Sequence, residues 1–175
     1  PETQNVRDFV AQINPKIAFS CHSYSDAFLC PNAFDNDLQD YTTYADFTSE
    51  FVPRDYIGYG TWRMMISYFG AGTTQDYLHY EGIVAWTPEI GHEFWEPSSE
   101  ICDRVQEMFP AMKYLSWVAG TYAAFQDHQV KVGEQLWDGS EVELVVRVRN
   151  KGLSNTAAEV NISASSPLAG FVPLQ

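Results

Sequence analysis

The sequence predicts an α/β fold, a sheet with helices on its faces, followed by a shorter run of antiparallel strands. Two observations lead there. Helical and strand-like periodicities alternate as α, β, α, β, α as far as about residue 118. Beyond about residue 120 the period falls to two and turn residues punctuate it. The expected boundaries are therefore 1–118 for the α/β part and 119–175 for the strands.

Pro1 sits where a first helical turn accepts it, and Val6, Phe9, Val10 and Ile13 follow at i, i+3, i+4 and i+7. Asn14-Pro15-Lys16 ends that amphipathic helix. An apolar strand follows, with Ile17, Phe19 and Cys21 on one face and Ala18, Ser20 and His22 on the other. Residues 36–50 read as a helix capped by Asp35 or Asn36, and the glycine-rich, aromatic stretch 56–77 mixes strand and loop character. Residues 83–91, "IVAWTPEIG", form the next strand. Pro97 and Ser98 open a long helix whose Ile101, Val105, Met108, Met112 and Leu115 make one apolar stripe, bent at Pro110. In the last part Val142, Leu144, Val146 and Val148 alternate with Glu141, Glu143 and Arg147, a half-buried strand. After a turn at Asn150-Lys151-Gly152, Val160 and Ile162 mark another. Three or four strands can be counted, part of a sandwich that normally has about seven. Asn161-Ile162-Ser163 matches a glycosylation sequon, a pattern that chance often produces.

Composition narrows the function classes. The 175 residues are 45% hydrophobic, with eleven Phe, ten Tyr and five Trp, which is ample for a packed core and excludes disorder. Ten basic against twenty-three acidic residues give a net charge of −13. That field repels phosphate backbones and anionic lipids, so neither nucleic acid nor a membrane is an expected partner. It suits a secreted or periplasmic protein. No run of about 18 apolar residues offers a membrane span. Neither an initiator Met nor a leader-like segment opens the chain, which suggests a cut or processed product. Cys21, Cys30 and Cys102 have no paired-ligand spacing, and an odd number cannot be fully bridged within one chain.

Two polar residues end separate strands, His22 and Glu89. In an α/β sheet functional groups gather at the carboxyl ends of strands, because helices cover the faces. A structural histidine and a surface acid are the plain alternatives. Together, though, an imidazole and a carboxylate at one sheet edge suit metal-assisted hydrolysis. Imidazole binds zinc, which lowers the pKa of its water towards ~7, and a nearby carboxylate takes the proton as general base. Tyr68 lies in a glycine-bounded loop, where it is placed either to pack or to reach over a substrate.

The order of four segments, "PETQNVRDFV", "FSCHSYSDAFLCP", "SYFGAGTTQDYLHYEGIVAWTPEIG" and "FWEPSSEICDRVQEMFPAMKYL", resembles the C-terminal half of a zinc carboxypeptidase of the M14 metallopeptidase family. The resemblance covers residues 1 to about 118 and implies part of a mixed β-sheet with helices on both faces. It implies that His22 is the third zinc ligand, that Ser23 and Tyr24 line the substrate groove, and that Glu89 activates the zinc-bound water. Tyr68 matches the mobile tyrosine that closes over the substrate's terminal carboxylate. Gln75 and Asp76 fall in the segment that builds the specificity pocket, and Ala33, eleven residues after His22, falls on another pocket position.

The departures carry equal weight. The family's other two zinc ligands come from an HxxE motif, absent here: His79, His92 and His128 precede Gly82, Trp95 and Lys131 at that spacing. The Asn-Arg pair that grips the terminal carboxylate is also missing. His22 alone does not hold zinc usefully, since a catalytic site takes three protein ligands plus water. The resemblance therefore implies an exopeptidase, inactive as this chain alone, whose zinc and peptide sites are completed by the N-terminal half of the same enzyme. The alternatives are a non-catalytic peptide-binding fragment and, from the C-terminal strands, a sandwich that tethers the protein to a surface.

Overall fold

The computed structural model describes residues 1–37, 40–53, 56–131, 142–155, 159 and 161. Helix α1 (Glu2–Ile13) ends at Asn14, whose left-handed conformation lets its N–H return to Val10 O. Strand β1 (Ile17–Phe19) follows, then β2 (Ala27–Leu29), α2 (Tyr41–Phe51), β3 (Gly58–Gly60) and α3 (Trp62–Ile66). Helix α4 (Thr74–Tyr80), strand β4 (Val84–Glu89) and helix α5 (Ile101–Val118) complete the first unit, Pro1–Ala119.

The four strands form one mixed sheet in the order β1-β4-β2-β3. β1 runs parallel to β4 with Ile17 opposite Val84 and Phe19 opposite Trp86, whereas β2 runs antiparallel to β4 and parallel to β3. Alternation along the strands separates two layers. On one face Ala18 and Ala85 meet Val10 of α1 and Leu78 of α4. On the other, Phe19 and Trp86 meet aromatic rings of α2, and Tyr114 of α5 packs on Phe47 and Phe51. Trp86 is fully buried among four rings, and its indole N–H donates to Thr48 Oγ1 at 3.0 Å.

The expected α/β sheet with helices on both faces is present, with differences in detail. The stretch 56–77 contains β3, α3 and the start of α4 rather than one strand-like segment. Three-residue strands such as β2 and β3 are too short to show a period. The stripe on α5 is divided: Met108 and Leu115 are buried, whereas Ile101, Val105 and Met112 are exposed. No residue of α1 is buried, so its Val6, Phe9 and Ile13 remain about half exposed. Periodicity reports which residues share a face and not what covers that face.

The second unit, Gly120–Gln175, contains β5 (Ala123–Lys131) and β6 (Glu143–Asn150), paired antiparallel with a bulge between Phe125 and Asp127. Ion pairs Lys131–Glu143 and Arg147–Asp127 link the two strands. The further strand expected around Val160 and Ile162 lies outside the described residues.

Candidate functional site

Strand β1 ends before His22, but the pairing with β4 resumes there. His22 and Glu89 form a parallel bridge, with His22 N donating to Pro88 O at 2.8 Å and Ile90 N donating to His22 O at 2.9 Å. The two residues that the sequence placed at separate strand ends are thus side by side. His22 is exposed, while Glu89 is only 5% exposed. Burial raises the Glu89 carboxyl above its ordinary pKa, and the neighbouring His22 works in the opposite direction. Such a carboxylate is a better proton acceptor than a solvated one.

Both loops that leave this bridge are tied together by a residue that sequence reasoning missed. Asp26, 6% exposed, accepts the Gly91 N–H on Oδ1 at 2.9 Å, and its Oδ2 lies 2.6 Å from His92 Nδ1. The loop after His22 therefore grips the loop after Glu89. Gly91 has φ +83, and a Cβ there would meet the Glu96 carboxylate, so glycine is required. Nothing in the sequence marks Asp26; only its position just before an apolar strand hints that it is buried.

The other expected residues fall into two groups. Ser23 and Tyr24 stay beside the bridge: Ser23 lines a cavity of about 520 Å³ with Ile90 and Phe94, and Tyr24 meets the Phe94 ring edge-on at 4.8 Å. The Ser23–Tyr24 peptide bond is cis. Ala33, Gln75 and Asp76 gather beneath β4. Both Asp76 oxygens lie 3.1 Å from the Ala33 N–H, and Thr87 Oγ1, two residues before Glu89, donates to Gln75 Oε1 at 2.7 Å. Tyr68 joins this group through Trp62, whose ring it meets edge-on at 5.6 Å, and is itself 55% exposed. Gly70 N donates to Ala33 O at 2.9 Å, which closes the Tyr68 turn over Ala33.

Of a zinc site, the described residues offer one candidate ligand. The His22 imidazole is open to solvent and has a carboxylate beside it, as a ligand next to a base requires. Among the described residues, however, no three His, Cys, Asp or Glu side chains converge on a point that holds a metal. The described residues supply a single ligand and do not complete a metal site.

The mixed four-stranded sheet with helices on both faces is a carboxypeptidase-like fold. Solved structures share it. Bovine thrombin-activatable fibrinolysis inhibitor, in complex with tick carboxypeptidase inhibitor, superimposes with a TM-score of 0.60 at 21% identity over 66% of this chain and 44% of that one. A crystal structure of thrombin-activatable fibrinolysis inhibitor gives 0.56 at 21% identity over 68% and 35%. Carboxypeptidase A from Helicoverpa armigera gives 0.52 at 18% identity over 68% and 34%. The chain spans less than half the length of each of these. No protein-family model and no curated protein matches the sequence.

Proposed function

We propose that this chain supplies the His22–Glu89 half of the active site of a zinc-dependent metallocarboxypeptidase, which removes C-terminal residues from peptides. The observation that carries the reading is the main-chain bridge that fixes these two residues together within a carboxypeptidase-like fold. Bound zinc would supply Lewis acidity and a water acidified towards ~7. His22 would be one of its ligands. Glu89, buried and with a raised pKa, would take a proton from that water on its carboxylate and pass it to the departing amine. Ser23 and Tyr24 would line the groove for the peptide, and Tyr68 would cover the terminal carboxylate. Ala33, Gln75 and Asp76 would form the pocket for the last side chain.

The remaining zinc ligands and the carboxylate-binding group would come from a second segment, the counterpart of the unmatched part of the solved structures. Three surfaces support such a partner. Among the described residues β1 is an edge strand with an unpaired side, α1 presents Val6, Phe9 and Ile13, and α5 presents Ile101, Val105 and Met112. An edge strand together with exposed apolar helix faces calls for another layer of chain. In this reading the protein is secreted or periplasmic, and its second unit is part of a β-sandwich accessory domain.

The test is reconstitution. The chain alone, given zinc and an N-acylated dipeptide, should show no turnover. Mixed with a front segment carrying HxxE and Asn-Arg, it should gain turnover that a chelator removes. Zinc loading and peptide binding without turnover would instead support the non-catalytic alternative.

A further inference from the structure

We propose that His92 is a positioning residue, a clasp that holds the loop after Glu89 against the loop after His22 and so sets the wall made by Tyr24 and Phe94. This rests on reading His22 and Glu89 as a peptidase site.

Residues 91–95 belong to no helix or strand, and packing does not hold them, since Phe94 is 70% and Trp95 90% exposed. Polar bonds through His92 take its place. The His92 N–H donates to Glu96 Oε1 at 2.6 Å, which closes the loop on itself. Its ring Nδ1 lies 2.6 Å from Asp26 Oδ2. Glu96 also pairs with Arg104 of α5, whose guanidinium is held in turn by Glu107. His92 thus joins this loop to the loop after His22 and, through Glu96, to α5.

The anchor of the clasp is fixed to the sheet. Asp26 has φ +50, a left-handed conformation that Asp adopts more readily than most residues. Its carbonyl accepts the Ile57 N–H at 2.8 Å, and the next residue, Ala27, pairs with Glu89 across β2 and β4. The Glu89 main chain itself is held on both sides, by His22 and by Ala27, and does not depend on the clasp. What depends on it is the chain beyond. Ile90 and Phe94 line the cavity with Ser23, and Phe94 meets Tyr24 edge-on.

The bond contributes position more than stability. The His92 side chain is 60% exposed, and an ion pair with one partner in water adds little to folding. Removing the ring would admit water to Asp26 Oδ2, so the buried carboxylate would not be left without a partner.

The experiment compares the 175-residue chain with His92→Ala and His92→Asn. An asparagine amide nitrogen stands where Nδ1 does, so His92→Asn keeps a donor for Asp26 and His92→Ala does not. NMR of the parent should show a nuclear Overhauser contact between the Tyr24 and Phe94 rings. His92→Ala should lose it, His92→Asn should keep it, and all three proteins should unfold at the same urea concentration. A contact that persists in His92→Ala, or is absent from the parent or from His92→Asn, would overturn the proposal. So would early unfolding of His92→Ala, which would make the residue a structural one. In the reconstituted enzyme His92→Ala should raise KM for the N-acylated dipeptide about 10-fold, roughly one hydrogen bond's worth, and leave kcat unchanged. An unchanged KM would sink the clasp alone. A ring contact that behaves as expected, with no turnover by the reconstituted parent, would sink the peptidase reading alone.

Discussion

His22 and Glu89 are joined through their main chains: the His22 amide bonds to the carbonyl just before Glu89, and the amide just after Glu89 bonds back to His22 O. Their side chains are therefore set by the sheet and not by contact with each other. Replacing either side chain should leave this frame intact, which makes the site open to mutation.

Glu89→Gln keeps the shape of the side chain and removes the base. In the reconstituted enzyme turnover should fall by at least about 10²-fold, as expected for a lost general base. Zinc content should not change. Near-normal turnover would mean that another group takes the proton.

His22→Ala removes a solvent-exposed ring. Thermal unfolding of the chain should hardly move, while zinc retained by the reconstituted protein, measured by elemental analysis, should be lost. Retention of zinc would exclude His22 as a ligand.

Burial raises Glu89 above its ordinary 4.5 and Asp76 above its ordinary 3.8. The folded chain then holds these protons more tightly than the unfolded chain does. Their contribution to stability is complete below the ordinary values and is lost as pH rises through the raised ones. Glu89→Gln should therefore be more stable than the parent at pH 7, with the difference shrinking towards about pH 4. Urea unfolding at several pH values reads this directly, and a pH-independent difference would contradict it.

Trp86→Ala empties the centre of the aromatic layer and removes the donor to Thr48 Oγ1, which keeps its own bond to Tyr44 O. A loss of about 3–5 kcal/mol is expected, enough to unfold a marginal chain. Trp86→Phe should lose less, and guanidinium unfolding orders the two.

Tyr68→Phe deletes a hydroxyl on a ring that is mostly outside. Unfolding should be unchanged, and turnover after reconstitution should drop by about 10-fold or less, roughly one hydrogen bond's worth. A larger drop would give the phenol a part in bond breaking.

How much of this was legible in the sequence differs from element to element. The strand before His22 and the strand ending at Glu89 were readable because apolar runs bounded by turn residues mark buried strands. Their adjacency was not, since no local pattern says which strands pair. α4 is hidden in a glycine-rich stretch of mixed strand and loop character, whereas Gln75 and Asp76 lie in the first turn of a helix. The uncovered half of the α5 stripe could not be foreseen either, because an apolar face looks the same in sequence with or without its partner. Asp26 escaped because its importance comes from Gly91 and His92, which are distant along the chain.

The parallel pairing of β1 with β4 also has a kinetic side. Bringing His22 to Glu89 closes a loop of about 70 residues, the kind of long-range contact that forms slowly and late. Intermediates that have made only α1, α2 or the β2–β3 pair would hold a lone histidine and a lone glutamate far apart. Such species would have no hydrolytic capacity, whatever metal they met. The two residues would come side by side only on completion of the sheet.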